Sequence, residues 1–183
     1  MPEVISLVIL DEEIYAVSMV KFVKDGCTIE DSCASGFFYE DDNKYYFVTN
    51  RHVVYDDNPK EVHFPEEIIL ILHTDGKDLT KNNMFAIPLY DQEVPKWLEH
   101  PDYGKEIDVV ALPINKDEIT SKYYIKPFNK SHLIPNRYLS LGEDLLVVGF
   151  PEGERDTRHN APIVRAATIA TLYNQPFKES RVF

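Results

Sequence analysis

The sequence predicts an all-β fold made of many short antiparallel strands. Runs rich in β-branched and aromatic residues recur along the chain, and polar turns separate them. Helical periodicity is weak, and helical turns are expected only near His52 and at residues 94–98. Short strands separated by turns are typical of an antiparallel barrel or sandwich.

About six strands are expected before residue 115. They cover residues 14–23, 33–39, 45–50, 68–73, 84–89 and 107–112. Residues 55–67 are acidic and contain two prolines, so they are expected to form a surface connection. Two further strands, residues 143–150 and 161–173, are predicted around a polar loop at residues 152–158.

Residues 33–54 are predicted to form a β-hairpin that ends at a histidine. Asp-Asp-Asn-Lys at residues 41–44 supplies the polar turn between two aromatic strands. The second strand finishes in Thr49 and Asn50, which suits the N-cap of a short helical turn. His52 is therefore expected at a sheet edge, where functional residues are common.

Length and composition predict one domain, or two small lobes, with a real hydrophobic core. The chain has 183 residues, of which 44% are hydrophobic. The net charge is −12, and the whole acidic excess lies in residues 1–105. Such a surface repels phosphate backbones and anionic lipids, so neither nucleic acid nor a membrane is an expected partner. Basic peptides would be attracted, although an acidic excess most often serves solubility alone.

The N-terminal residues do not have the pattern of a secretory signal, because they lack a basic segment and soon become acidic. No run approaches the roughly 20 apolar residues that span a bilayer. Only Cys27 and Cys33 occur, which does not indicate an oxidised scaffold. A cytoplasmic location is the expectation.

Three segments resemble the trypsin-like serine peptidases, and bacterial members in particular. Ser-Gly-Phe-Phe at residues 35–38, a hairpin, and Val-Thr-Asn-Arg-His-Val-Val at residues 48–54 are similar to the segment of the catalytic histidine. Ile-Asp-Val-Val-Ala-Leu-Pro at residues 107–113 resembles the acid segment, in which an aspartate opens an apolar strand. Residues 142–151 and 161–170 are more weakly similar to the strands that lead toward the nucleophile.

The resemblance implies a double β-barrel, with a complete first barrel and an incomplete second one. Residues 1–115 would form the first lobe, residues 116–135 the connection and residues 136–183 part of the second lobe. The implied activity is endopeptidase cleavage of peptides or proteins. His52 would act as the general base, and Asp108 would orient its imidazole. Without that context, His52 would be read as a surface histidine and Asp108 as a turn residue.

The third member of the triad is not found in the sequence. No Gly-Xaa-Ser-Gly motif occurs, and no serine stands in a glycine-bracketed turn. Ser35, Ser131, Ser140 and Ser180 are among the serines that lack this setting. Cys27 and Cys33 both precede the histidine strand and suit packing better than catalysis. The chain by itself is therefore expected to be inactive.

Two interpretations remain open. The chain belongs to a serine endopeptidase and lacks the serine segment, or it is a non-catalytic binding module on the same fold. No metal or cofactor is expected, because the six histidines lack His-x-x-x-His spacing and no Cys-x-x-Cys or phosphate-binding loop occurs. The apolar strand at residues 161–173 is expected to expose an edge through which copies could self-associate.

Overall fold

The computed structural model describes residues 10–24, 26–55, 65–133 and 139–171. Over these ranges the chain is mostly β, which confirms the predicted all-β class. The strands are β1 (Val17–Lys24), β2 (Cys27–Asp41), β3 (Lys44–Thr49), β4 (Glu67–His73), β5 (Asn82–Pro88), β6 (Tyr90–Asp91), β7 (Val94–Pro95), β8 (Val110–Ile114), β9 (Phe128–Asn129), β10 (Asp144–Gly149) and β11 (Ile163–Thr168). The helices are α1 (Leu10–Glu13), α2 (Arg51–Val54) and α3 (Lys116–Lys122), and 3-10 turns cover Lys130–His132 and Pro151–Gly153.

The largest sheet is curled and has the strand order β5-β4-β1-β2-β3-β8. Neighbouring strands in this order are antiparallel. β9 adds a short parallel pair with Tyr39 and Glu40, near the C-terminal end of β2. Among the described residues, the end strands β5 and β8 do not pair with each other. The structure therefore contains an open, curled sheet, and the predicted complete first barrel is not seen.

The main core lies inside the curl of this sheet. Strand β3 shows the expected alternation, since Tyr45, Phe47 and Thr49 are buried and the residues between them are more exposed. Phe38 and Phe47 pack edge to face with ring centroids 5.1 Å apart. Other fully buried members are Val20, Ile68, Leu70, Leu89, Leu112 and Ile119. Because Thr49 is the last inward residue of β3, the chain leaves the sheet at Asn50 on its rim.

The predicted turn between β2 and β3 is confirmed. Asp42 and Asn43 adopt left-handed backbone angles, with φ of 45° and 64°. These two residue types tolerate that conformation, which a tight hairpin requires. Lys116 holds the turn from outside by donating to Glu40 Oε1 at 2.9 Å and to Asn43 Oδ1. The turn fixes the register of β3 and therefore the position of residues 49–52 at the end of that strand.

Strands β10 and β11 form a separate two-stranded ribbon that is anchored to the main sheet at one end. The backbone N–H of Phe150 donates to Ser35 Oγ at 2.8 Å, and the Phe150 ring is buried against Met19 and Ile71. Farther along, the Asn160 side chain donates to the carbonyl oxygen of Ile71 at 3.0 Å. The division into lobes at residues 115 and 136 stays a prediction.

The structure corrects three expectations. Residues 116–122 form helix α3, capped by Asn115, whereas helical turns were expected only near His52 and at residues 94–98. Residues 94–98 were expected to turn helically, but β7 pairs with β6 there and the Trp97 side chain is buried. The strand expected at residues 107–112 begins only at Val110, so Asp108 lies in the loop before it.

Some predicted features lie outside the described residues. They include most of the connection at residues 55–67, residues 134–138, the end of the 161–173 strand, Ser180 and the first nine residues. Among the residues that are described, no helix is long and apolar enough to cross a membrane.

Candidate active site

His52 is presented at the rim of the sheet by a single helical turn. Strand β3 ends at Thr49, Asn50 occupies the N-cap position, and α2 begins at Arg51. Val53 and Val54 are buried and anchor the turn to the core, whereas the His52 side chain is 70% exposed. The short turn thus keeps the imidazole at the surface while its neighbours hold the backbone in place.

Asp108 meets His52 because their strands are neighbours. β3 and β8 are antiparallel, and Thr49 pairs with Val110, so residues just after β3 face residues just before β8. Asp108 Oδ2 lies 2.7 Å from His52 Nδ1, and Asp108 Oδ1 accepts the backbone N–H of His52 at 2.9 Å. The predicted contact between these two side chains is therefore present, at a distance typical of a catalytic hydrogen bond.

Asp108 favours the ionised state. Partial burial raises its pKa, but hydrogen bonds from the His52 backbone and imidazole outweigh this and leave the pKa below its usual value. A carboxylate beside Nδ1 accepts a hydrogen bond from that nitrogen, so the neutral imidazole keeps its proton on Nδ1 and Nε2 carries a lone pair. Because the His52 side chain is largely exposed, its Nε2 atom can accept a proton from a group on the solvent side.

Asn50 supports the pair in a way that the sequence analysis missed. Its side chain makes no hydrogen bond as the N-cap of α2, the role expected from the sequence. Instead, Asn50 Nδ2 donates to the backbone carbonyl oxygen of Asp108 at 2.9 Å and lies 3.3 Å from Oδ2. The Thr49 hydroxyl also donates to the Ser35 carbonyl oxygen at 2.9 Å, which helps to fix the end of β3.

Arg51 anchors the other side of the turn, a role that the sequence analysis also missed. Its guanidinium Nε donates to Glu99 Oε1 at 2.9 Å, and it stacks over the Tyr55 ring at 4.7 Å. Trp97 Nε1 donates to the same carboxylate oxygen at 3.3 Å. Because only 11% of the Arg51 side chain is exposed, these partners compensate a largely buried charge. The spacing of Arg51 and Glu99 in the sequence gives no sign of this contact.

No serine hydroxyl in the described part of the chain hydrogen-bonds to His52. Ser35 instead accepts the Phe150 N–H, and Ser131 donates to Asn129 Oδ1. Cys27 is an exposed free thiol, and Cys33 is a half-buried free thiol beside Gly153. The structure thus brings His52 and Asp108 together, and among the residues it describes no serine hydroxyl is hydrogen-bonded to the pair.

A second histidine and aspartate also meet, but their contact is local. His159 Nδ1 lies 2.6 Å from Asp156 Oδ2, three residues away in a turn. Contacts of this kind arise readily within turns. The His52 and Asp108 contact joins residues 56 positions apart and is held by a sheet. The His52 and Asp108 pair is therefore the better candidate for a functional site.

Two apolar cavities of about 450 Å³ each are lined by chain neighbours of His52 and Asp108, although neither His52 nor Asp108 itself lines them. Ile107 lines one cavity and Asn50 the other, and Val109 lines both. No cluster of three or more histidine, cysteine, aspartate or glutamate side chains that could hold a metal is found in the described ranges. Neither the comparison with protein-family models nor the search of curated proteins returns a match for this chain.

Proposed function

We propose that this chain is the base-and-acid part of a trypsin-like serine endopeptidase. The observation that supports the proposal most strongly is the 2.7 Å contact between His52 Nδ1 and Asp108 Oδ2, at the end of a strand pair. In this role His52 Nε2 would take the proton of a serine hydroxyl. Asp108 would hold the required tautomer and stabilise the imidazolium.

On this proposal, the open curled sheet would form part of the first barrel of a double barrel, and the β10–β11 ribbon would belong to the second. The anchor between Phe150 and Ser35 is consistent with a second unit that begins beside the first. The remaining parts, a nucleophile and two N–H groups for the oxyanion, would come from a Gly-Xaa-Ser-Gly segment that follows Phe183 in a longer chain.

The 183-residue chain alone is expected to hydrolyse no peptide. A base without a nucleophile cannot form the acyl-enzyme, because no atom is present to attack the carbonyl carbon. The expected substrate class is a peptide or protein. The excess of acidic residues in the first half favours encounter with basic segments.

The second candidate function is binding without catalysis. It is favoured by the missing serine motif, together with the two apolar cavities that chain neighbours of His52 and Asp108 line. Apolar cavities with a few polar groups at the rim are the usual form of a ligand site. In that case the contact between His52 and Asp108 would have no catalytic role and would help to hold the end of β3 against the start of β8.

A serine-directed phosphonylating probe distinguishes the candidates. The 183-residue chain should take up none of it, whereas the product of a longer reading frame with Gly-Xaa-Ser-Gly should be labelled stoichiometrically at that serine. A reading frame that lacks the motif would favour the binding module. Stoichiometric labelling of the 183-residue chain, lost when one serine is replaced, would reveal a nucleophile outside the expected motif.

A further inference from the structure

Residues 150–160, which we call the docked segment, cover part of the outer face of the main sheet. Because side chains alternate along β4, Ile71 and His73 share the face opposite to the main core. The Phe150 ring is 2% exposed and packs on this face against Ile71. At the other end of the segment, the Asn160 side chain donates to the Ile71 carbonyl oxygen at 3.0 Å. The segment is therefore attached to β4 at both of its ends.

His73 and Asn160 are buried polar residues at this junction, and each is 4% exposed. In the described part of the chain, the two ring nitrogens of His73 and the Oδ1 atom of Asn160 have no hydrogen-bond partner of good geometry. Buried polar atoms are nearly always paired, because an unpaired one has lost its water without compensation. Docking is therefore unfavourable at this point, and a change of state at His73 can alter it.

The surroundings of His73 come from several segments of the chain. The Tyr15 ring packs edge to face on the imidazole at 5.3 Å, and the His73 carbonyl oxygen accepts the Tyr124 N–H at 2.8 Å. Backbone carbonyl groups of Leu79 and Asn160 lie beside the ring. Charged side chains on these segments form the pairs Asp75 with Lys81, Asp78 with Lys81, Asp156 with His159 and Glu12 with Lys126, and Arg155 contacts Met19 Sδ.

A proton on His73 weakens the docking. Burial lowers the pKa of His73, and the carbonyl groups of Leu79 and Asn160 offset this only in part, so the covered imidazole favours the neutral form. Once uncovered, the ring is hydrated and has its ordinary pKa of about 6.5. The open state therefore binds the proton more readily than the docked state. Docking is complete above about pH 6.5 and weakens as the pH falls below it.

The docked segment can leave His73 without exposing the main core. Its buried ring, Phe150, belongs to a small cluster on the outer face that is separate from that core. The Phe150 N–H donates to Ser35 Oγ at 2.8 Å, so this N–H reports directly on docking. The Tyr15 ring also covers His73, but its hydroxyl donates to the Gly76 carbonyl oxygen at 3.1 Å, which ties it to the loop after β4.

We propose that residues 150–160 form an acid-sensitive latch on the main sheet, with His73 as the group that takes up the proton. At neutral pH the latch is closed over the uncharged imidazole. In mild acid the imidazole becomes charged, and the latch opens while the main sheet stays folded. This device is independent of the peptidase proposal, because it uses neither His52 nor Asp108.

Amide exchange measured residue by residue between pH 7.5 and 5 tests the proposal. The readout is the protection factor of the Phe150 N–H, which is its exchange rate in the unfolded chain divided by that in the native chain at the same pH. In the wild type it should fall below about pH 6.5, by up to about tenfold per pH unit, because opening takes up one proton. The Phe47 N–H, in the centre of the main sheet, should keep its protection.

Two replacements that do not titrate, His73→Phe and His73→Gln, should remove the pH dependence at Phe150. Either one suffices if the other does not fold, and the comparison of Phe150 with Phe47 in the wild type needs neither. His159→Gln is the matched control, because His159 is the histidine within the docked segment and pairs with Asp156. It should behave as the wild type does.

Three results would overturn the proposal. The first is a Phe150 protection factor that does not change with pH in the wild type. The second is an equal loss of protection at Phe150 and Phe47, which would mean that the sheet opens as a whole. The third is a pH dependence that survives replacement of His73 or disappears in His159→Gln, which would assign it to another group.

Discussion

Asn50 donates its side-chain amide to the backbone carbonyl oxygen of Asp108 at 2.9 Å, across the gap between the end of β3 and the start of β8. The same nitrogen lies 3.3 Å from Asp108 Oδ2, the oxygen that contacts His52. Asn50 therefore ties both the backbone and the carboxylate of Asp108 to the strand that delivers His52. It is a positioning residue for the pair.

Replacing Asn50 with alanine should loosen Asp108. The variant loses the amide donor at a partly exposed site, so the free energy of unfolding should fall by about 0.5–1.5 kcal/mol. The larger effect should be on geometry, because the Asp108 carboxylate is freed to rotate away from His52 Nδ1. Urea unfolding and the His52 ¹⁵N spectrum measure the two effects. Asn82→Ala, at the exposed start of β5, is the control and should leave the His52 spectrum unchanged.

Replacing Asp108 with asparagine should change the tautomer of His52. In the wild type, a carboxylate faces Nδ1, so the neutral imidazole should carry its proton on Nδ1. An asparagine can offer its own N–H to Nδ1, which moves the ring proton to Nε2 and removes the free acceptor. Long-range ¹H–¹⁵N correlation spectra read the tautomer directly.

Asp156→Asn provides the control for that experiment. It alters the local pair with His159 and should leave the His52 signals as they are in the wild type. If His52 keeps its proton on Nδ1 in Asp108→Asn, then Asp108 does not determine the tautomer and its proposed role is wrong.

Removing the carboxylate of Glu99 should destabilise the turn that carries His52. Glu99→Ala removes the acceptor that lies 2.9 Å from Nε of the largely buried Arg51 guanidinium, so the free energy of unfolding should fall by roughly 1–3 kcal/mol. Glu93→Ala, at an exposed position between β6 and β7, should change it by less than about 0.5 kcal/mol. Equal values for the two variants in chemical denaturation would mean that Arg51 and Glu99 contribute little to the site.

His73 should make stability depend on pH. It is 4% exposed, and burial lowers its pKa below 6.5, although the nearby carbonyl groups of Leu79 and Asn160 act in the opposite direction. Because the unfolded chain then binds the proton more readily, stability is complete above about pH 6.5 and falls as the pH drops below it. One such group can contribute at most about 1.4 kcal/mol per pH unit.

Urea unfolding between pH 7.5 and 5 tests this prediction. His73→Phe, which keeps a ring beside Tyr15, should flatten the dependence, and His132→Gln at an exposed position should not. If His73→Phe shows the same loss of stability on acidification as the wild type, another group is responsible.

Most of the strands could be predicted from the sequence, because each has its own period-2 or β-branched signal. The hairpin of β2 and β3 was the clearest, since Asp42 and Asn43 also suit the left-handed turn. Helix α3 was missed because its seven residues bury only Ile119 and so show no periodicity. Residues 94–98 were misread because Trp97 is buried through tertiary packing, which local periodicity does not encode.

The candidate site could be predicted only in part. His52 and Asp108 were found because a resemblance to a known family selected them, and their contact follows from the pairing of β3 with β8. Asn50 and the Arg51 and Glu99 pair could not be found, because their hydrogen bonds depend on side-chain directions in three dimensions. Closure of the sheet is likewise a long-range property that strand patterns alone do not determine.

The most direct test of the central claim is peptide hydrolysis by the product of the complete reading frame, compared with its His52→Ala variant. If the chain is part of a trypsin-like endopeptidase, a downstream Gly-Xaa-Ser-Gly is present and the wild type cleaves peptides. His52→Ala should then lose activity by about 10⁴-fold or more while remaining folded by circular dichroism. A folded product without hydrolysis, or hydrolysis that survives in His52→Ala, would contradict the account.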